Sequence, residues 1–339
     1  MLKAAIVGIG GWGRTMVEAV QGKSEKVRFV AGMTRTPACA QAFARRHGLV
    51  LHDEFDAVLE DPAIEAVILA TPDSQHASQA LAAVAANKHV LVEKPFTLSL
   101  ESAERGVQAA RARGVVLAVA HNRRFLPAIA RLRELLAGEV LGTVLHVEAN
   151  QSGPDGFDYP ADGWRADPAE SPAGGMTAMG IHMVDTMIGL LGRVASVRAQ
   201  SFRRVLPIAR DDTTSVLLRF ANGASGYLGT TEATAANSRL QIFGSAGWAE
   251  LREERHLRLS IIGRAPENAV FPAVDITRAE LEAFADAIAG RGLYPLSAAE
   301  AVHGVAVLEA IVKSARSDER VDVADGRLDA SEPLDRHGR

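Results

Sequence analysis

The sequence predicts an α/β fold class, with a doubly wound parallel sheet over residues 1–121 and an α+β domain on a mostly antiparallel sheet over residues 122–325. Three observations predict it. Apolar runs alternate with helical patterns through the first 120 residues, the signature of parallel βαβ units. A glycine turn, Gly8-Ile9-Gly10-Gly11-Trp12-Gly13, separates the first apolar run from the first helical pattern. After His121 the alternation gives way to consecutive β-like stretches with few helices between them.

Residues 2–7 are an apolar run ending at Gly8, and a helix is expected over 12–21. The second strand spans 27–33, and its helix spans 37–47, closed by Gly48. A short helix over 55–59 stops at Asp61-Pro62. Strands over 66–70 and 89–92 flank an Ala-rich helix over 74–86. A further helix over 99–113 is stopped by Gly114, and residues 115–120 read as the last strand of this sheet. Regular alternation of this kind is what a doubly wound sheet requires.

In the second domain a helix over 127–137 leads to a strand over 143–151. Residues 152–175, rich in Gly, Pro and Asp, read as a long loop, and loops of that length usually carry function. A helix over 179–191 precedes strands over 195–202, 213–220, 225–231 and 240–243. Asn222-Gly223 between two of them is a hairpin signal. Helices over 278–289 and 297–314 precede a polar tail assigned to 326–339.

The chain has 339 residues, 47% hydrophobic and 23% charged, which fits two globular domains with a sizeable core. A net charge of −4 gives no general attraction to nucleic acid or anionic lipid. No run approaches the ~20 apolar residues of a membrane span. The N-terminus also lacks the longer apolar stretch and cleavage site of a signal peptide. The single cysteine, Cys39, rules out an intrachain disulfide or a thiolate cluster. No ligand-like grouping of His, Asp and Glu is present, so no metal is expected. A cytoplasmic location and no nucleic-acid or membrane partner follow as expectations.

The glycine turn has the G-x-G-x-x-G spacing, follows a strand and opens a helix, the context that a Rossmann dinucleotide-binding fingerprint needs. Gly8 serves the tight turn, Gly10 lets the backbone approach a pyrophosphate, and Gly13 lets helix and strand pack closely. Free N–H groups at the helix start then face the phosphates, with Ile9, Gly11 and Trp12 completing the turn. The plainer alternative is three glycines that serve only the fold. The second strand ends in Thr34-Arg35-Thr36 rather than in the acid that would hold the ribose of NAD. A hydroxyl beside a guanidinium suits a 2′-phosphate, so NADP is preferred over NAD. Alternatively, Arg35 is a solvated loop residue.

Two further segments sit at the C-terminal ends of strands, where open α/β sheets place ligands. They are Thr71-Pro72 with His76, and Glu93-Lys94-Pro95. A third, Gly174-Gly175 followed by Gly180-Ile181-His182 and Asp185, lies in the second domain. In this order, with Trp164-Arg165 ahead of the paired glycines and Leu281 to Phe284 and Ala310 to Ser314 near the end, they resemble the Gfo/Idh/MocA family. This is the glucose–fructose oxidoreductase and inositol dehydrogenase group, and the resemblance runs from Leu2 to about Val323.

The resemblance implies a Rossmann domain followed by an open-faced sheet domain, with substrate between them and redox chemistry at a carbinol or ketone carbon of a sugar or cyclitol. Lys94 would then stabilise charge on the reacting oxygen, a role that suits its compact charge. His182 would be the general acid/base, since imidazole exchanges protons near neutrality. Thr71, Pro72, His76, Glu93 and Lys94 would line the cofactor. Asp185 would orient His182, bind a substrate hydroxyl, or simply pair nearby. Asn122, Arg124, Trp164 and Arg165 are candidates for the substrate side. The family's aspartate four residues before the histidine is here Ala178.

An NAD(P)-dependent oxidoreductase acting on a small polyol or sugar is therefore the leading expectation. A redox-neutral NAD-dependent enzyme such as a glycosidase, and a non-catalytic dinucleotide- or sugar-sensing protein, are the alternatives. A homodimer or homotetramer through the open sheet is also expected, because an uncovered sheet face needs a partner.

Overall fold

A computed structural model describes residues 1–326, so all but the first residue of the expected tail lies outside the described residues. The described chain forms two compact units. One comprises Met1–Asn122 with Asp275–Val302, the other Arg123–Val274 with His303–Gly326.

The first unit begins β1 (Leu2–Val7), α1 (Gly11–Val20), β2 (Val27–Met33), α2 (Pro37–His47), β3 (Val50–His52) and α3 (Phe55–Glu60). It continues β4 (Ala66–Leu69), α4 (His76–Ala85), β5 (His89–Glu93), α5 (Leu100–Arg113) and β6 (Leu117–Ala120). All strand pairs are parallel, in the order β3-β2-β1-β4-β5-β6. Strand order reverses beside β1, the switch point at which such sheets open a ligand crevice. Every residue of β4 and β6 is buried, as expected of strands covered on both faces. β3, for which no apolar run stands out in the sequence, is only three residues long and lies at the sheet edge. Ser99 caps α5 by accepting from the Ser102 N–H, and Gly114 ends it in the left-handed conformation, the local chemistry that makes this boundary readable.

The second unit contains α6 (Pro127–Ala137), β7 (Val144–Ser152), α7 (Ile181–Leu191), β8 (Val194–Phe202), β9 (Thr213–Phe220), β10 (Ser225–Thr231) and β11 (Asn237–Gly244). β12 (Gly247–Arg252), β13 (His256–Ile261) and β14 (Glu267–Val270) follow. α8 (Ile276–Ile288) belongs to the first unit, α9 (Ala298–Ser317) begins there and continues in the second, and β15 (Val321–Asp322) ends the second. The sheet order is β14-β13-β12-β11-β7-β10-β9-β8-β15. Only β7 and β10 pair in parallel; the other neighbours are antiparallel. Asn222-Gly223 does turn β9 into β10, with Gly223 at φ +93°.

The sequence grouping of 122–325 differs from these units at Asp275–Val302. α8 packs on α1 and β2, Lys26 meets Asp286 at 2.7 Å, and the Tyr294 hydroxyl donates to the Val119 carbonyl at 3.0 Å. These contacts bind the segment to the first sheet although it follows the second in sequence.

Candidate functional site

In the first unit the glycine turn is built as its spacing requires. Gly8 has φ +100°, and a Cβ there would run into the Ala70 carbonyl; one on Gly13 would run into the Gly8 carbonyl. Both positions therefore exclude a side chain for steric reasons. A Cβ on Gly10 or Gly11 would meet nothing within 4 Å, so the start of α1 is open. An open helix N-terminus with free N–H groups fits a pyrophosphate. Arg14, on the first turn of α1, donates to the Cys39 carbonyl at 2.8 Å and stacks 5.2 Å from the Phe43 ring. Thr34 is half-buried at the end of β2, while Arg35 and Thr36 are exposed.

The Thr71-Pro72 turn and the Lys94-Pro95 peptide, which is cis, are held by one side chain. His76 is fully buried, with Nδ1 2.8 Å from the Pro95 carbonyl and Nε2 3.0 Å from the Thr71 carbonyl. The Thr71 hydroxyl donates to Gln79 at 2.6 Å. Trp12 reaches from the glycine turn to donate its indole N–H to Glu93, whose other carboxyl oxygen accepts the Lys94 backbone N–H at 3.2 Å. Burial pushes the Glu93 carboxyl above its usual range, against the pull of the Lys94 charge and the Trp12 donor. Glycine turn, Glu93 and Lys94 thus form one connected group. Asn122 is buried just after β6.

In the second unit, Met176–Gly180 is one turn of π-helix that runs directly into α7, so the helix expected from 179 begins with a widened turn. Such turns often accompany functional sites. His182 lies half-buried on the first turn of α7. Asp185, one turn on, is engaged by Arg124 in a fork: Nε at 2.9 Å and Nη2 at 2.8 Å from its carboxyl oxygens. Both side chains are buried. The structure therefore places Asp185 and Arg124 against each other.

Trp164 and Arg165 lie in the long loop, the Arg165 guanidinium 4.2 Å from the Trp164 ring and 6.0 Å from that of Tyr159. Beneath them is a pair that no motif announced. Arg210 and Glu232 are both fully buried as side chains and joined at 2.6 and 2.7 Å. Burial raises the Glu232 carboxyl, with Arg210 opposing the shift. The Tyr159 phenol is pushed up to about 12, first by burial and then by the Glu232 charge. No grouping of His, Cys, Asp or Glu suited to a metal occurs among the described residues, and no described helix is long and apolar enough to cross a membrane.

Residues 2–121 match the family model described as "Oxidoreductase family, NAD-binding Rossmann fold", and residues 129–250 match the GFO/IDH/MocA C-terminal domain. Among curated relatives, the pig trans-1,2-dihydrobenzene-1,2-diol dehydrogenase is 28% identical over 228 residues, covering 66% of this chain and 65% of that protein. The levoglucosan dehydrogenase of Pseudarthrobacter phenanthrenivorans is 27% identical over 257 residues, again covering 66% and 65%. The chain thus spans just under two thirds of the length of these two relatives. A crystal structure of a provisionally assigned NADPH-dependent oxidoreductase from Desulfitobacterium hafniense superposes with a TM-score of 0.88 at 28% identity, covering 96% of this chain and 98% of that one.

Proposed function

Because the chain belongs to the Gfo/Idh/MocA family of NAD-binding Rossmann-fold oxidoreductases, we propose that it is an NAD(P)-dependent dehydrogenase or reductase of a small polyhydroxylated compound. The nicotinamide, when bound, supplies the hydride chemistry between its ring and a carbinol or ketone carbon. The observation that carries the proposal is the joined group in the first unit: an open glycine turn whose Trp12 reaches Glu93, beside Lys94. The relatives' substrates, a dihydrodiol and an anhydrosugar, support the substrate class.

In this reading Gly8, Ile9, Gly10, Gly11, Trp12 and Gly13 hold the pyrophosphate, and Thr71, Pro72, His76 and Glu93 shape the nicotinamide end. Lys94 holds charge on the substrate oxygen. His182 gives or takes that oxygen's proton, and Asn122, Trp164 and Arg165 hold the substrate. Arg124 and Asp185, joined in a buried fork, stay on the substrate side in this reading, the fork also anchoring the helix that carries His182, with carboxylate lone pairs left for a substrate hydroxyl. NADP is the preferred cofactor, because the β2 end offers Thr34, Arg35 and Thr36 and no acid. The lone cysteine, Cys39, is exposed and free, which supports a reducing cytoplasm.

The test is a screen of sugars and diols, levoglucosan and trans-1,2-dihydrobenzene-1,2-diol included, with NAD and NADP in parallel. Reduced nicotinamide is read by its near-ultraviolet absorbance. Lys94→Ala is expected to lower kcat by about 1000-fold while dinucleotide binding survives. Arg35→Ala is expected to weaken NADP more than NAD. Dinucleotide binding without turnover of any substrate would favour a sensing role instead, the reading to which Ala178 gives most room.

A further inference from the structure

The Arg210–Glu232 pair ties together three segments far apart in sequence. Arg210 donates from Nη1 to the Arg165 carbonyl at 2.7 Å, and its guanidinium lies 5.0 Å from the Tyr159 ring. The Tyr159 hydroxyl points at Glu232 at 3.4 Å. The Glu232 carbonyl accepts the Gly156 N–H at 3.0 Å. The Glu232 side chain also fills the space where Gly175 would carry a Cβ, with its Cγ 2.7 Å from that position. Gly175 immediately precedes the π-turn into α7. Ala166, Leu206 and Ile208 form a small buried cluster with Tyr159 packed against it. The 203–211 segment that delivers Arg210 is itself pinned. Asp212 Oδ2 accepts three backbone N–H groups, from Arg204, Val205 and Leu206, at 2.9, 2.7 and 3.0 Å.

Two charges buried this completely are an expensive way to hold a fold together, because desolvation cancels most of their attraction. What a forked pair does well is fix direction: guanidinium and carboxylate meet in one plane, and the remaining N–H is aimed at a third group. Here the third group is the backbone of Arg165.

We propose that Arg210 and Glu232 are positioning residues that hold the 156–166 loop and the 175–180 turn in the form that presents Trp164, Arg165 and His182 to substrate. The proposal rests on the reading of those three residues as substrate-side groups. Both side chains are fully buried, so the pair acts through the loop.

The experiment compares the full-length protein with Arg210→Met/Glu232→Leu, in which both charges are removed together. Replacing a buried pair by apolar residues of similar volume is often neutral for stability, so this variant is expected to fold with an unchanged melting temperature. Backbone amide exchange over 156–166, measured without ligand, is expected to rise by about tenfold or more. With the substrates of the screen above, kcat/KM is expected to fall by about 100-fold, mainly through KM, while the KM for dinucleotide stays within about twofold. Arg210→Lys keeps the charge but cannot bridge both carboxyl oxygens and the Arg165 carbonyl, so it is expected not to rescue.

Should the double variant not fold, Tyr159→Leu loosens the same loop from its solvent side and is read by the same two measurements. Unchanged exchange over 156–166 in a folded variant overturns the proposal. So does a loss of kcat/KM no larger than the loss of stability predicts. If wild-type protein turns over nothing in the screen while the loop still loosens in the variant, the redox reading has failed and the positioning role stands.

Discussion

Trp12 is the residue through which the glycine turn reaches the group beside Lys94 in a single hydrogen bond. Its indole N–H is the side-chain donor to Glu93, a buried carboxyl already pushed upward by desolvation and held down by the Lys94 charge and by that donor. A hydrogen bond to a charged group contributes about 1.5–3 kcal/mol. Trp12→Phe keeps a ring in the turn and removes the donor, so the Glu93 carboxyl rises further. An anionic Glu93 stabilises the Lys94 ammonium, and a protonated one does not. The acid limb of the kcat/KM profile is therefore expected to move to higher pH, with activity at high pH little changed. A pH–rate profile of the two proteins checks this; coincident acid limbs would separate Glu93 from the chemistry.

α9 shows what an element owes to one buried group. His303 accepts the Val194 N–H at its Nε2 at 2.9 Å, tying α9 to the start of β8. Burial, aided by the nearby Arg193 charge, lowers its pKa to about 4. A base depressed in the folded state binds its proton more readily when unfolded, so the stability it contributes is present above the unfolded value near 6.5 and lost as pH falls toward 4. At pH 5 the loss amounts to about 2 kcal/mol. His303→Gln retains an acceptor but no titration, and urea denaturation is expected to show its stability falling less than that of wild type between pH 7 and pH 5. Equal falls would locate the acid sensitivity elsewhere. The same scale shows what could be read from the sequence. β4 and β6 were legible as unbroken apolar runs buried on both faces, β1, β2 and β5 as apolar runs interrupted only by Lys3, by Arg28 and at the ends by His89 and Glu93, and α5 because Ser99 and Gly114 mark its ends. β12 and β13 were not, because Glu250, Arg252 and Arg258 project outward from them and break the apolar signal. β14 is exposed throughout, and β3 and β15 are too short to show a period. Among the candidate site residues, the glycine turn and the segments around Lys94 and His182 are readable as local motifs. Arg210 and Glu232 are not, since nothing in the intervening sequence marks two charges as partners.

At the scale of the whole molecule the second unit's sheet raises the question of what covers its other face. β9 alternates buried Thr214, Val216, Leu218 and Phe220 with outward Ser215, Leu217 and Arg219. Outward Leu217 is 58% exposed and its cross-strand partner Tyr227 is 37% exposed. Toward β11 and β12 the same face carries half-buried Phe243 and Trp248 among Glu148, Arg239, Glu250 and Arg252, charges of both signs that already pair along the sheet. A face of apolar patches within a self-neutralising charge lattice meets no like-charge barrier when it faces itself across a twofold axis. We therefore propose a homodimer through this face, as a unit or as half of a tetramer. A stable interface needs about 800 Å² from each partner, and burying one carboxylate at its centre without a partner would cost several kcal/mol. Leu217→Glu is accordingly expected to convert the assembly to monomers in light-scattering mass measurements across micromolar concentrations. The isolated first-unit chemistry, dinucleotide binding at the glycine turn, is expected to persist in the variant. A wild-type chain that is monomeric at every concentration, or a Leu217→Glu protein that keeps its assembled mass, would leave this face without the role argued for it.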